Sequence, residues 1–316
     1  MAAGISRYDG VLLLGKPKGI TSHDAVNEIR RITGQRRVGH CGTLDPLARG
    51  LLLMCLGRAT KLTQFLTGLD KTYEAEICLG QISETGDSEG VKEDMPRPPA
   101  PDIPQRELEQ ALNGFAGVIR QRVPAYSAVR VGGRPMYELA RRGIPVERPE
   151  REVEIKSLSL VDYQPPLVHL LVRCSHGTYI RALADDLGGV LGCGAYLSGL
   201  RRTAVGHFTI EQSLSLERVQ ELHQEGKLQQ CLLAAAEVLP YPTVIISGEG
   251  RKHVLHGNKL TPDFITRHDG SFDVGDIITI RDQQGNVLAV GRAETASDQI
   301  GRSTDKTFFS YSRVLN

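Results

Sequence analysis

The order of apolar and polar residues predicts strands and helices that alternate through the first two thirds of the chain. Residues 11–14 form a short apolar run, and residues 51–56 form a continuous one between two glycines, which is typical of a strand buried on both faces. Residues 73–79 instead alternate apolar side chains with glutamates, so a strand with one polar face is expected. Further strands are predicted at residues 153–155 and 167–172.

Helices are predicted where apolar residues recur three or four positions apart between capping residues. Thr21 and Asp24 have the spacing of a capping box, and Gly34 follows the last apolar position, so a helix between them is expected. Pro104 and Gly114 frame a second helix in the same way. Two more are predicted at residues 61–66 and 178–187, the latter with Arg181 in its first turns.

Two stretches depart from this alternation. Residues 84–94 are acidic and residues 95–104 carry five prolines, which predicts an extended surface loop. From about residue 241 glycines recur, and apolar segments at residues 277–280 and 287–290 flank Gly285 in a hairpin pattern. Short strands with glycine turns predict a small β-barrel in this last part of the chain.

Length and charge add a domain division and a class of partner. The 316 residues exceed the usual size of one domain, so two are expected, residues 1–240 and residues 241–316. The formal net charge of +1 does not indicate nucleic-acid binding, but residues 1–61 carry ten basic and four acidic side chains, and residues 120–151 carry eight and three. Such segments fit a polyphosphate partner, with a solvated charged surface as the alternative.

Several classes of protein are disfavoured. The six cysteines are scattered without any C-x-x-C pair, which argues against a structural zinc site. The first apolar run, four residues long, is too short for a secretory signal, and no apolar stretch reaches the ~18 residues of a membrane span. We therefore expect a cytoplasmic protein with reduced thiols and no membrane contact.

One carboxylate lies in a turn framed by glycine and proline. The segment reads Gly39-His40-Cys41-Gly42-Thr43-Leu44-Asp45-Pro46-Leu47-Ala48-Arg49-Gly50. Glycine allows close approach of the backbone to a ligand and proline fixes φ, so Asp45 could face a ligand. Alternatively, Asp45 is a helix N-cap and Pro46 the first helical residue.

The longer string resembles the signature of the TruB family of tRNA pseudouridine synthases. Further matches follow in the same order along the chain: Lys16-Pro17-Lys18-Gly19, Asp70-Lys71-Thr72-Tyr73, Val123-Pro124-Ala125-Tyr126-Ser127-Ala128, Gly133 to Arg141, and Cys174-Ser175-His176-Gly177-Thr178-Tyr179-Ile180-Arg181. The resemblance implies an α+β catalytic domain with a mixed, largely antiparallel sheet flanked by helices, the pseudouridine synthase fold. Residues 254–260 and 274–276 are similar to a PUA-type RNA-binding β-barrel.

The resemblance also implies a set of catalytic residues. Asp45 would be the catalytic aspartate, and Arg181 would pair with it, since an adjacent guanidinium favours the ionised carboxylate and orients it bidentately. Tyr73 would stack on the target base and is a candidate for handling the C5 proton; as an alternative, it is an ordinary core aromatic. The isomerisation requires neither a metal nor another cofactor.

Further residues are expected to bind the RNA. His40 would occupy or support the space vacated by the flipped base, Asp87 would lie in an active-site loop, and Tyr179 would assist Arg181 by hydrogen bonding. Candidate phosphate contacts are Lys16, Lys18, Arg134, Arg141 and Arg142. The last three belong to an insertion at about residues 120–151, which resembles a family segment that closes over the T-loop.

The implied activity is conversion of the T-loop uridine of tRNA, position 55, into pseudouridine by a monomeric enzyme that binds the T-stem-loop. Three alternatives remain open from sequence: a non-catalytic RNA-binding protein or tRNA chaperone, a synthase of the H/ACA pathway or of another RNA, and a glycan hydrolase using Asp45. Cys41 beside His40 also raises a thiol nucleophile as a minor alternative.

Overall fold

A nine-stranded sheet forms the larger part of the molecule. The computed structural model describes residues 7–91, 102–300 and 307–315. In chain order the first eleven strands are β1 (Gly10–Lys16), β2 (Val38–Cys41), β3 (Arg49–Leu56), β4 (Lys71–Leu79), β5 (Gly117–Arg122), β6 (Arg130–Val131), β7 (Arg134–Pro135), β8 (Glu150–Gln164), β9 (Leu167–Cys174), β10 (Ala195–Val205) and β11 (Phe208–Thr209). The sheet order is β1-β3-β10-β4-β9-β8-β5, with β2 on β3 and β11 on β10, and β6 and β7 form a separate hairpin.

Pairing in this sheet is antiparallel except between β3 and β10, which run parallel. The helices are α1 (Ser22–Thr33), α2 (Thr63–Thr67), α3 (Gln105–Asn113), α4 (Met136–Arg141), α5 (Ile180–Val190), α6 (Leu216–Gln224), α7 (Ala235–Val238) and α8 (Gly248–Leu255). The parallel pairing brings the start of β3 next to the end of β10. The segment that carries Asp45 directly precedes β3, so it lies at this junction. The predicted α+β class with a mixed, largely antiparallel sheet is confirmed.

Most predicted elements are present because their signals are local. Thr21 and Asp24 form the expected capping box of α1, and Gly34 ends it with φ 67°. Strand β4 alternates buried and more exposed residues as predicted, and β3 is buried from its second residue onward. Helix α3 starts after Pro104 and ends before Gly114.

Three expectations need correction. The helix predicted at residues 61–66 is a 3-10 helix, Gly57–Leu62, followed by the short α2. The strand predicted at residues 153–155 is much longer, because its pairing with β9 continues through two register shifts that interrupt the alternation of apolar and polar residues. Asp45 is not a helix N-cap: the Ala48 amide donates to the Asp45 carbonyl at 3.0 Å, closing a turn between β2 and β3. Most of the predicted proline-rich loop lies outside the described residues.

A five-stranded sheet forms the C-terminal unit. Its strands are β12 (Thr243–Ile246), β13 (Ile265–Asp269), β14 (Ile277–Arg281), β15 (Val287–Ala293) and β16 (Phe309–Val314), in the order β13-β12-β14-β15-β16. The predicted hairpin is the β14–β15 pair. Val290 and Leu315 share one apolar cluster with Leu51 and Leu53 of β3, so the unit packs against the larger sheet. None of the described helices has the length and apolar character that crossing a membrane requires.

Candidate active site

The Asp45 turn is fixed by two buried leucines, by the first residue of α1 and by the segment before that helix. Leu44 and Leu47 are 3% and 5% exposed, and the Leu44 amide donates to Ser22 Oγ at 2.8 Å. The Gly19 amide donates to the Pro46 carbonyl at 2.8 Å. The side chain of Asp45 is 39% exposed, so the turn is fixed by its backbone and its apolar neighbours while the carboxylate faces outward.

The buried side chain of Arg181 supplies the positive charge opposite Asp45. Its Nε lies 2.9 Å from Asp45 Oδ2, while Nη1 donates to the Thr85 carbonyl at 2.8 Å and Nη2 to the Tyr126 carbonyl at 2.9 Å. The expected bidentate geometry is therefore replaced by one in which Nε approaches the carboxylate and both terminal nitrogens bind backbone. The arginine is fixed independently of Asp45.

Asp87 also lies at this site, as expected. It is 4% exposed, and its Oδ2 lies 3.6 Å from Arg181 Nη1. Its Oδ1 accepts from the Glu89 amide at 3.1 Å, and the Leu197 amide fixes the same loop by donating to the Gly86 carbonyl at 3.0 Å. Arg181 thus lies between two carboxylates, one buried and one open.

Arg202 is a residue of the site that sequence reasoning missed. It is 1% exposed and donates through Nε to the Leu51 carbonyl at 2.7 Å and through Nη2 to the Gly42 carbonyl at 3.1 Å. Gly50 lies against its backbone, where a Cβ would be 2.2 Å from the Arg202 carbonyl oxygen. Its position in the strand between the apolar residues Leu200 and Val205 could have indicated this role. A charged side chain inside a buried strand requires polar partners.

Tyr73 projects from β4 on the same face as Arg202, its register partner on β10. The ring is 8% exposed and belongs to the main apolar cluster. Burial raises the pKa of the Tyr73 hydroxyl, and the charge and hydrogen bond of Arg202 oppose that rise. The side chain is packed as a core aromatic and also adjoins the polar groups beneath the Asp45 turn.

Lys16 is placed differently from what a phosphate contact requires. It is 1% exposed, and its Nζ donates to the carbonyls of Pro17 at 2.9 Å and Ile20 at 2.6 Å. Burial lowers its pKa to about 8, and the charge of Asp45 opposes this shift. Lys71, 5% exposed, is held in the same way by the Thr67 and Leu69 carbonyls, and burial lowers its pKa to about 8 as well.

His40 and Cys41 lie on β2, directly before the turn. Burial lowers the pKa of His40, with smaller effects from Arg202 and His23, so its ring is neutral near pH 7. Its Nδ1 is buried and has no hydrogen-bond partner among the described residues. Cys41 is fully buried with its Sγ 3.3 Å from Cys55 Sγ, and this contact and burial raise its pKa, so the thiol is not placed where a ligand could reach it.

The insertion contacts the site through its backbone and exposes its arginines. Tyr126 supplies the carbonyl bound by Arg181, and the β6–β7 hairpin and α4 follow it. Arg134, Arg141 and Arg142 are exposed, as is Lys18 in the segment before α1. Tyr179 precedes α5. Its amide donates to Gln121 Oε1 at 3.0 Å, and its ring lies 5.6 Å from the Arg151 guanidinium carbon, whereas Arg181 binds Asp45 and the Thr85 and Tyr126 carbonyls instead of Tyr179. Within the described chain, no cluster of three His, Cys, Asp or Glu side chains could hold a metal.

Comparison with known protein families finds two matches that together cover residues 30–239. Residues 30–180 match the N-terminal domain of the TruB family of pseudouridylate synthases, and residues 181–239 match the C-terminal domain of tRNA pseudouridylate synthase B. A protein of Dechloromonas aromatica named tRNA pseudouridine synthase B is 43% identical over 255 residues, which cover 81% of this chain and 84% of that protein. The chain belongs to the TruB family. It is therefore an RNA pseudouridine synthase, an isomerase.

Other TruB-family relatives and solved structures extend over almost the whole chain. A tRNA pseudouridine synthase B of Syntrophus aciditrophicus is 42% identical over 93% of this chain and 94% of its own. The crystal structure of a Cbf5-Nop10-Gar1 complex has a chain with a TM-score of 0.77 and 25% identity, covering all of this chain and 91% of that one. Residues 242–308 match the PUA domain, which confirms the PUA-like unit expected at the C-terminal end.

Proposed function

We propose that this TruB-family protein is a tRNA pseudouridine synthase that converts uridine 55 of the T-loop, with Asp45 as its catalytic group. The observation that supports this most is the pairing of a half-exposed Asp45 with a buried, backbone-fixed Arg181 at 2.9 Å. A carboxylate that is open to a ligand and lies against a fixed cation is held in one orientation toward that ligand. The curated relatives named tRNA pseudouridine synthase B indicate the class of RNA.

The reaction needs few groups. The uracil N1–C1′ bond breaks, the base turns, C5 bonds to C1′, and the proton lost from C5 is balanced by one that N1 gains from solvent. Asp45 acts at C1′, either by adding to it or by promoting a glycal intermediate, as carboxylates do at sugar C1′ in glycosidases. Tyr73 supports the detached base by stacking and is the candidate for the C5 proton, while His40 takes the space that the flipped base leaves.

Recognition of the T-stem-loop is assigned to exposed cations around this centre. Lys18 precedes α1, and Arg134, Arg141 and Arg142 lie on the insertion, where they can follow a folded loop of RNA. Lys16 receives a different role from the one expected from sequence: it fixes the Pro17 and Ile20 carbonyls beneath the Asp45 turn. Asp87 and Tyr179 support Arg181 and its helix rather than RNA directly.

We propose the same division of labour that the sequence suggested. Residues 1–240 form the catalytic unit and residues 241–316 form an RNA-binding unit. The two large sheets support this division because they share no strand. The monomeric state and the cytoplasmic location stay predictions.

The proposal is tested with a panel of minimal RNA stem-loops incubated with the wild-type protein alone. We expect pseudouridine, detected by carbodiimide labelling and primer extension, in the T-stem-loop with uridine 55. A stem-loop with cytidine at position 55 and an anticodon stem-loop should remain unmodified. Modification of the anticodon stem-loop instead of the T-stem-loop would overturn the assignment of substrate, and no modification of any RNA would overturn the activity.

A further inference from the structure

A cavity of about 410 Å³ opens beside the turn that carries Asp45, at the start of β3. Its charged lining residues are Lys16, Arg49 and Arg201, and the described lining contains no acidic side chain. The remaining wall is backbone and apolar surface, including Ile210. Because the Lys16 Nζ is bound to the Pro17 and Ile20 carbonyls, Arg49 and Arg201 are the cations of this cavity that can meet a ligand. They lie on the opposite face of the sheet from Arg202.

The sheet places two of these charges side by side. Arg49 and Arg201 are register partners in the parallel pair of β3 and β10, so their side chains lie on the same face. Like charges at paired positions on neighbouring strands destabilise a sheet. An anion between the two guanidinium groups would remove that repulsion.

The acidic residues nearby neutralise this pair only in part. Arg201 Nη1 lies 3.2 Å from Glu74 Oε2 in an exposed ion pair, and the charge of Arg201 also acts on Glu211. Arg49 is exposed and forms no ion pair with any part of the chain that the structure describes. Arg49 is therefore the group that is available to a ligand, with Arg201 as the second contact.

We infer that this cavity binds a phosphate group through Arg49 and Arg201. Guanidinium groups match the geometry of phosphate oxygens, and two of them can hold one phosphate from two sides. Arg49 follows Asp45 by four residues, so their Cα atoms are at most about 14 Å apart. The inference rests on the proposed function, because the backbone of the bound RNA would supply the phosphate; free phosphate shares the same chemistry.

The first test measures RNA binding in the Asp45→Asn background, in which turnover does not disturb the equilibrium. Affinity for the T-stem-loop is measured by fluorescence anisotropy between 50 and 300 mM salt for Arg49→Gln and for Arg106→Gln. Arg106 is a matched control, an exposed arginine on α3 without an ion pair among the described residues. We expect Arg49→Gln to lower the affinity about tenfold and to flatten the log–log salt slope by about 0.7 to 0.9. Arg106→Gln should change neither.

A second variant should act in the opposite direction. Glu74→Gln removes the carboxylate that competes for Arg201, so binding of the T-stem-loop should become tighter. This gain should disappear when Arg201→Gln is combined with it. A merely structural Arg201 would give no gain with Glu74→Gln, and weaker binding by Glu74→Gln would contradict the inference.

The third arm separates the two sources of phosphate. The melting temperature of the full-length wild type is measured with inorganic phosphate and with chloride at equal ionic strength. A phosphate-specific rise that Arg49→Gln abolishes, together with unchanged RNA affinity, identifies free phosphate as the ligand. Equal RNA affinity and salt slope for Arg49→Gln and Arg106→Gln, with no phosphate-specific rise, overturn the site. Altered RNA binding without any uridine conversion by the wild type would instead overturn the proposed function alone.

Discussion

Arg181 Nε lies 2.9 Å from Asp45 Oδ2, although the two side chains differ sharply in exposure, at 6% and 39%. The Thr85 and Tyr126 carbonyls bind the terminal nitrogens of the guanidinium, so the cation has little freedom to move. The carboxylate is the open member of the pair. The site therefore combines a fixed positive charge with a negative group that a ligand can reach.

Replacing Arg181 by lysine should separate charge from position. Arg181→Lys keeps a cation but loses the N–H groups that bind the Thr85 and Tyr126 carbonyls. We expect the single-turnover rate to fall at least about 100-fold, since misplacement of a catalytic group by about 1 Å has that effect. Affinity for RNA should change little. The matched control is Arg173→Lys, at an exposed arginine paired with Asp70, which should keep the wild-type rate. If Arg181→Lys also kept that rate, a positive charge alone would suffice at this position.

Gly50 is required by the close approach of β10. It has φ +114°, and an added Cβ would be 2.2 Å from the Arg202 carbonyl oxygen. Gly50→Ala should therefore lower the free energy of unfolding in urea by about 3 kcal/mol or more. Gly39, also in the signature, has open space at its Cβ position, so Gly39→Ala should change that free energy by less than about 1 kcal/mol. Similar losses for both variants would contradict this account of Gly50.

The buried lysines should make stability increase with pH above 8. Burial lowers the pKa of Lys16 and Lys71 from 10.5 to about 8. Between these values the unfolded chain binds more protons than the folded one, so the free energy of unfolding rises with pH. Each lysine contributes at most about 1.4 kcal/mol per pH unit. Urea unfolding between pH 7.5 and 9.5 should give a flatter rise for Lys71→Met than for the wild type, and identical slopes would show that Lys71 is not desolvated.

The fold was predictable where its signals are local. The capping box of α1 and the alternation in β4 involve residues within one turn or one strand, so they are visible in the sequence. The length of β8 was not, because two register shifts interrupt its alternation of apolar and polar residues and its pairing with β9 decides its extent. The 3-10 helix after β3 depends on packing rather than on periodicity.

The site was predictable only through the family resemblance. Asp45 and Arg181 are far apart in the chain, and no local pattern places them 2.9 Å apart. The burial of Lys16 and the role of Arg202 escaped prediction, because each depends on carbonyl groups that the tertiary structure brings to it. Resemblance indicates which residues meet, whereas the structure gives the polar partners that hold them.

The most direct test of the central claim is tritium release from unmodified tRNA labelled at uracil C5, with wild type and Asp45→Asn compared and no cofactor added. Asp45→Asn preserves the shape of the side chain, so RNA binding serves as the internal control. We predict release by the wild type and none by Asp45→Asn, with similar affinities for tRNA. Release by both proteins, or no release by a wild type that still binds tRNA, would contradict the assignment of Asp45 as the catalytic group.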